Sequence, residues 1–215
     1  MEVHPVFGRD YDANVFIVSG RVPTVIDTGT GFHSREVLRR VKEFVDPAEI
    51  QQIVLTHEHF DHVGGTPDFL AATGGRARVG AHRDAVAKLK AGQSTFAEML
   101  GGRMPSLDVT LPLQDGMSLI VGDVTCSVLS TPGHSPGSLC LYCPEEKVLF
   151  SGDTVFAGGG FGRYDFPGGS YVVLVASVQR LASLDVQRMF SGHGPVVEEK
   201  GTVHIRHALS NLQLR

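Results

Sequence analysis

The apolar positions fall into two successive blocks of different rhythm. In the first, Asn14-Val-Phe-Ile-Val18 and Thr24-Val-Ile-Asp27 read as consecutive strands, with Gly20 and Pro23 marking the turn between them. From Ser34 the spacing of Val37, Leu38, Val41, Phe44 and Val45 is helical, with Ser34 as the cap and Asp46-Pro47 as the stop. Gln52-Ile-Val-Leu-Thr56 then reads as a buried strand. A helix around Asp68 to Ala72, a short strand Ala77-Arg-Val-Gly80 and a helix from Asp84 to Lys90 follow, giving a β-α-β-α alternation.

From about Leu111 the strands come close together: Ser118-Leu-Ile-Val121, Thr125-Cys-Ser-Val-Leu-Ser130, Ser138-Leu-Cys-Leu-Tyr142 and Lys147-Val-Leu-Phe150. This predicts a second sheet. The β-branched residues of Tyr171–Val178 favour a strand, yet Leu174, Val178, Leu181 and Leu184 keep a helical spacing, and the length of the run favours a helix. Arg188-Met-Phe190 reads as a last strand, and a terminal helix is expected after about Thr202. Two blocks of strands and helices predict an α/β protein, two sheets face to face with helices outside, as a single domain over residues 1–215.

Composition adds exclusions. With 42% hydrophobic and 20% charged residues, the 215-residue chain is expected to fold throughout. A net charge of -4 argues against nucleic acid as the main partner. No run approaches the ~20 apolar residues of a membrane-spanning helix. The N-terminus carries no apolar run behind basic residues, so a cytoplasmic location is expected. Three cysteines are present. Cys140 and Cys143 stand three apart in an expected strand, a spacing that suits neither a disulfide nor a shared metal, so apolar packing is the expected role of all three.

The candidate chemistry is concentrated in Thr56-His-Glu-His-Phe-Asp-His62, where a buried strand ends. In an extended chain, alternate residues share a face, so His57, His59 and Asp61 would converge, with His62 following as the chain turns. Three further segments repeat one design: Ser130-Thr-Pro-Gly-His134, Leu149-Phe-Ser-Gly-Asp153 and Met189-Phe-Ser-Gly-His193 each end a strand in a glycine and then a ligand-type side chain. The other histidines, His4, His33, His82, His204 and His207, lack such a context and read as structural or surface residues.

An H-x-H-x-D-H motif followed by separate His, Asp and His resembles the metallo-β-lactamase superfamily over nearly the whole chain. An aspartate at position 153 resembles the glyoxalase II (hydroxyacylglutathione hydrolase) branch, where true zinc β-lactamases usually carry cysteine. The stretch Phe161-Gly-Arg-Tyr-Asp-Phe-Pro-Gly-Gly169 resembles a G-R-x-D-F-x-G-G loop of small glyoxalase II-like and persulfide dioxygenase-like proteins, with Tyr164 where Thr is often found.

The resemblance implies a four-layer αβ/βα sandwich and two divalent ions. His57, His59 and His134 would hold one ion, Asp61, His62 and His193 the other, and Asp153 would bridge them. Asp61 and Asp153 are thereby the expected catalytic carboxylates. Imidazole and carboxylate ligands suit zinc, the expected metal, as well as iron, manganese or cobalt. Such a centre brings bound water toward ionisation near neutral pH and polarises a carbonyl. Asp27 is expected to orient a ligand or to stabilise a turn, and Arg163 and Tyr164 to bind the carboxylate of a small anionic substrate.

Two functions compete. One is hydrolysis of a thioester by metal-bound hydroxide. Only some twenty residues follow His193, whereas full-length glyoxalase II proteins carry a C-terminal helical domain that binds glutathione. Hydroxyacylglutathione, another thioester, an ester and a lactone therefore all stay open as substrates. The other function is a persulfide dioxygenase-like oxygenase with one iron on His57, His134 and Asp153. The sequence leaves the oligomeric state open.

Overall fold

The computed structural model describes residues 1–93 and 95–214. They form two compact units, Met1–Leu113 with Ile120–Val124, and Gln114–Leu119 with Thr125–Arg215.

The first unit is built on a six-stranded mixed sheet of β1 (Val3–Val6), β2 (Val15–Val18), β3 (Thr24–Ile26), β4 (Gln52–Val54), β5 (Arg78–His82) and β6 (Leu111–Leu113), in that spatial order. The β1-β2 and β2-β3 pairs are antiparallel and the rest parallel. Helices α1 (Ser34–Val41), α2 (Phe60–Val63), α3 (Thr66–Ala72) and α4 (Val86–Ala91) make the parallel connections. Strands β2, β3 and β4 are buried at every position, which is why their apolar residues run consecutively rather than alternating, with Thr24 and Gln52 as buried polar starts. Ile17, Val25, Ile53, Leu55 and Phe69 share one core with Val41 of α1 and Leu89 of α4. Strands β1 and β6 were not anticipated. Each is a sheet edge and each contains a proline, Pro5 and Pro112, a residue that erases the strand signal and is tolerated only where no inner ladder bond is needed.

The second sheet has the order β13-β10-β9-β8-β7, with β7 Ser118–Val121, β8 Val124–Ser130, β9 Leu139–Cys143, β10 Val148–Gly152 and β13 Arg188–Ser191. A two-stranded ribbon, β11 (Val155–Phe156) and β12 (Gly160–Phe161), follows β10. The Tyr171 segment is helical, as its length predicts: α5 runs Tyr171–Leu181 and packs with α6 (Gly201–Gln213), where the Tyr171 hydroxyl donates to Leu212 O at 2.7 Å. Leu174, Val178 and Leu181 are buried and face a core completed by Ile205, Ala208 and Leu212.

The cysteine expectation fails for two of the three. Cys126 and Cys143 form a disulfide. The antiparallel register pairs Ser127 with Tyr142, so positions 126 and 143 meet across β8 and β9, a partnership that the spacing along one strand does not show. Cys140 is a buried free thiol, as expected. Burial pushes its pKa up to about 11, against hydrogen bonds to Thr131 and Thr154, so it stays a protonated packing group.

Candidate metal centre

Ligand-type side chains gather at the C-terminal ends of parallel strands in both units, the edge where open α/β sheets generally bind ligands. In the first unit, β3 and β4 run parallel with Ile26 opposite Val54, so Asp27 emerges beside the chain that continues as Leu55-Thr56-His57. Asp27 N donates to Val54 O at 2.9 Å. Asp27 holds a left-handed backbone (φ 58°), a conformation costing about 1–2 kcal/mol for most residues and least for Asp and Asn. Three donors to its buried carboxylate offset that cost: Thr56 N, Thr56 Oγ1 and His62 Nδ1, each at 2.8 Å.

That network orients the imidazoles. His62 Nδ1 donates to the Asp27 carboxylate, which leaves Nε2 as the lone-pair nitrogen. Nε2 lies 3.6 Å from Asp61 Oδ2. Thr56 Oγ1, its proton given to Asp27, can accept from His57 Nδ1 at 3.2 Å, which likewise presents His57 Nε2. His57 Nε2 is 3.1 Å from His59 Nδ1. Asp61 does not join them by strand alternation. The strand ends at Val54 and the chain bends over residues 56–58, and Asp61 and His62 sit together on the single turn of α2.

Between the two histidines, Glu58 points the other way, fully buried, with its carboxylate 3.1 Å from Lys88 Nζ. No motif singles out this pair. It keeps the side chain between two candidate ligands out of their space.

In the second unit, β10 is parallel to β13, and β9 runs antiparallel to both β8 and β10. The ends of β8, β10 and β13 therefore share one edge, and His134, Asp153 and His193 each follow one of them. The ladder slips between Phe150 and Gly152, and Gly152 turns at φ 47°, where a side chain would be strained. Asp153 Oδ2 lies 3.7 Å from His134 Nε2 and 3.6 Å from His193 Nε2.

His134 Nδ1 donates to the carbonyl of Arg163 at 2.6 Å. A carbonyl only accepts, so this contact puts the lone pair on Nε2, toward Asp153. The loop reaches this position because residue 162 is glycine: a Cβ there would lie 1.9 Å from Asp153 O and 2.9 Å from His134 Nδ1. The Arg163 side chain makes a two-pronged ion pair with Asp165 at 2.9 and 2.6 Å and lies 4.3 Å above the Phe166 ring. The hydrogen bond to Arg163 holds the Asp165 carboxyl below the usual carboxylate range and raises the guanidinium in turn. Tyr164 packs edge-on against Tyr171.

The donor sets fit divalent metal. Spacings of 3.6–3.7 Å between a carboxylate oxygen and an imidazole nitrogen exceed a hydrogen bond, yet two ligands about 2.1 Å from one tetrahedral ion stand roughly 3.4 Å apart. At His62 and His134, a lone pair facing a carboxylate is repulsive until a cation lies between them. Each unit thus carries a His/Asp cluster of metal-binding chemistry.

Comparison with known proteins agrees. The chain is 29% identical to hydroxyacylglutathione hydrolase GloC of Haemophilus influenzae, covering 90% of each. It is 36% identical to acyl-coenzyme A thioesterase MBLAC2 of Bos taurus over 68% of this chain and 59% of that protein. Among solved structures, TTHA1623 in a di-iron-bound form aligns with a TM-score of 0.75 at 31% identity, covering 97% of this chain and 96% of that one. The BLEG-1 B3 metallo-beta-lactamase aligns at 0.80 with 26% identity, covering 97% of both. The metallo-beta-lactamase superfamily model matches residues 8–193. From the strand-end histidines and aspartates to this match, the chain belongs to the metallo-beta-lactamase superfamily.

Proposed function

We propose that the protein is a binuclear metal-dependent hydrolase acting on a thioester. The observation that carries this reading is the orientation of the donors: hydrogen bonds to Asp27 and to the Arg163 carbonyl fix the lone-pair nitrogens of His62 and His134 toward carboxylates. Four donors come from the first unit (His57, His59, Asp61, His62) and three from the second (His134, Asp153, His193). By the division the family motif implies, these seven would form two sets of three with Asp153 shared. The absence of a thiolate in the set suits zinc, iron or manganese.

When bound, the ions would supply a nucleophilic water at neutral pH and an electrophile for the carbonyl oxygen. The protein's own residues do the rest. Asp27 and Thr56 hold His57 and His62, the Arg163 carbonyl holds His134, and Asp61 and Asp153 offer the carboxylates that position the attacking water. Arg163 and Tyr164 lie on the loop that braces His134, at the place suited to a substrate's anionic end.

Thioester chemistry is favoured because two relatives, GloC and MBLAC2, are named for it. The test is elemental analysis of protein purified without added metal and then saturated, beside thioester hydrolysis and O₂-uptake assays. Close to two ions per chain with hydrolysis is expected. Saturation at one ion with O₂-dependent persulfide oxidation and no thioesterase activity would overturn the reading in favour of a mononuclear oxygenase.

A further inference from the structure

The segment after α4 is fastened to the metal-binding turn. Phe60 N donates to Thr95 O at 3.2 Å, and Thr95 Oγ1 donates to Glu58 O at 2.6 Å. These bonds sit on either side of His59, so residue 96 is delivered to that ligand. Its ring stands edge-on to the His59 imidazole, 5.2 Å between centroids, and stays half-buried. Phe96 holds a left-handed backbone at φ 70°. For an aromatic residue this is an outlier, and such strain collects where a side chain must be aimed.

Other apolar side chains of the first unit are exposed as well. Phe32 is half exposed, with its ring edge-on to Phe60 at 5.7 Å, and Met99 is exposed on the turn that follows Phe96. Gly102 lets that turn close on Phe60, where a Cβ would meet the ring at 2.4 Å. The Phe96 ring, left partly in water against the His59 imidazole, marks a place that an apolar group fills.

We infer that Phe96 is the acyl-side wall of the substrate site, and that the preferred substrates are thioesters whose acyl group is apolar and larger than acetyl. The inference rests on the hydrolase reading for its substrate class, and on the first unit's geometry alone for the wall. Phe96 holds the apolar chain, while the bond broken is the thioester C–S bond; water adds its oxygen to the acyl carbon and the thiol leaves with a proton.

The test compares octanoyl and acetyl thioesters of N-acetylcysteamine on the metal-loaded enzyme and on Phe96→Gly, a substitution that relieves the backbone. The octanoyl-to-acetyl ratio of kcat/KM should fall about tenfold or more with metal content unchanged. An unchanged ratio overturns the wall. If Phe96→Gly loses metal or melts early, Phe96→Asn carries the same test, since Asn tolerates φ > 0 and removes the apolar face. Calorimetric binding of octanoate and acetate separates the two readings. If the wild type cleaves neither thioester, the hydrolase reading falls. The wall then stands only if octanoate is preferred by the wild type and that preference is lost in the variant; equal preference in both overturns it.

Discussion

The two units build candidate metal ligands of the same chemistry in opposite ways. The first takes four from one strand-to-helix passage, His57 to His62, and braces His57 and His62 with side chains, Thr56 and Asp27. The second takes one ligand from each of three strand ends and braces His134 with a main-chain carbonyl. A local motif carries its geometry in a few adjacent residues. A distributed one depends on the register of a whole sheet, and each member is harder to replace.

That contrast can be broken most directly at Asp153. Asp153→Ala removes the carboxylate oxygen that faces both His134 and His193, and we expect both ions to be depleted together, with thioester hydrolysis falling on the order of 10³-fold or more. Metal analysis showing both ions retained at full affinity would mean that Asp153 does not bridge.

His193→Ala should cost less. It removes one strand-end ligand, and the expected loss is roughly one metal per chain with a more than ~100-fold fall in hydrolysis. A full metal complement with unchanged turnover would remove His193 from the site.

Asp27→Ala tests the side-chain brace of the first unit. Three donors lose their acceptor, and metal affinity or activity should fall about 10- to 100-fold. Metal titration would show whether the loss lies in binding. An unaltered affinity would mean that the His62 orientation is set by something else.

Arg163→Ala should be the mildest, because the brace on His134 is the residue's carbonyl and survives the change. Metal content should stay constant while kcat/KM falls about threefold or more on anionic thioesters and little on neutral ones. Equal loss on both substrate types would take the guanidinium out of substrate recognition.

Much of this was legible in the sequence, for reasons that differ by region. Inner strands such as β4 and β10 announce themselves because both faces are buried, while the edge strands β1 and β6 hide behind their prolines. The contiguous candidate ligands of the first unit read as a motif, and the strand-glycine-ligand pattern pointed to His134, Asp153 and His193, which the structure brings together around the Asp153 carboxylate. What escaped was whatever depends on a partner distant in sequence or on the main chain. The Cys126–Cys143 bond needs the β8-β9 register, the Glu58–Lys88 pair needs the placement of α4, and the aim of Phe96 needs the bonds made by Thr95. The Arg163 carbonyl has no signature at all, since every residue carries one.

The close approach at Gly162 bears on how the protein can be diversified. A library that varies Arg163, Tyr164 and Asp165 samples side chains hung on a fixed main-chain path, so these positions can change without rebuilding the brace on His134. Randomising position 162 samples almost nothing, because a side chain would need the 1.9 Å that separates its first carbon from the carbonyl of Asp153. The loop is an adaptable surface stitched down at Gly162 and again at Gly169, where a Cβ would lie 2.3 Å from the carbonyl oxygen of Tyr164.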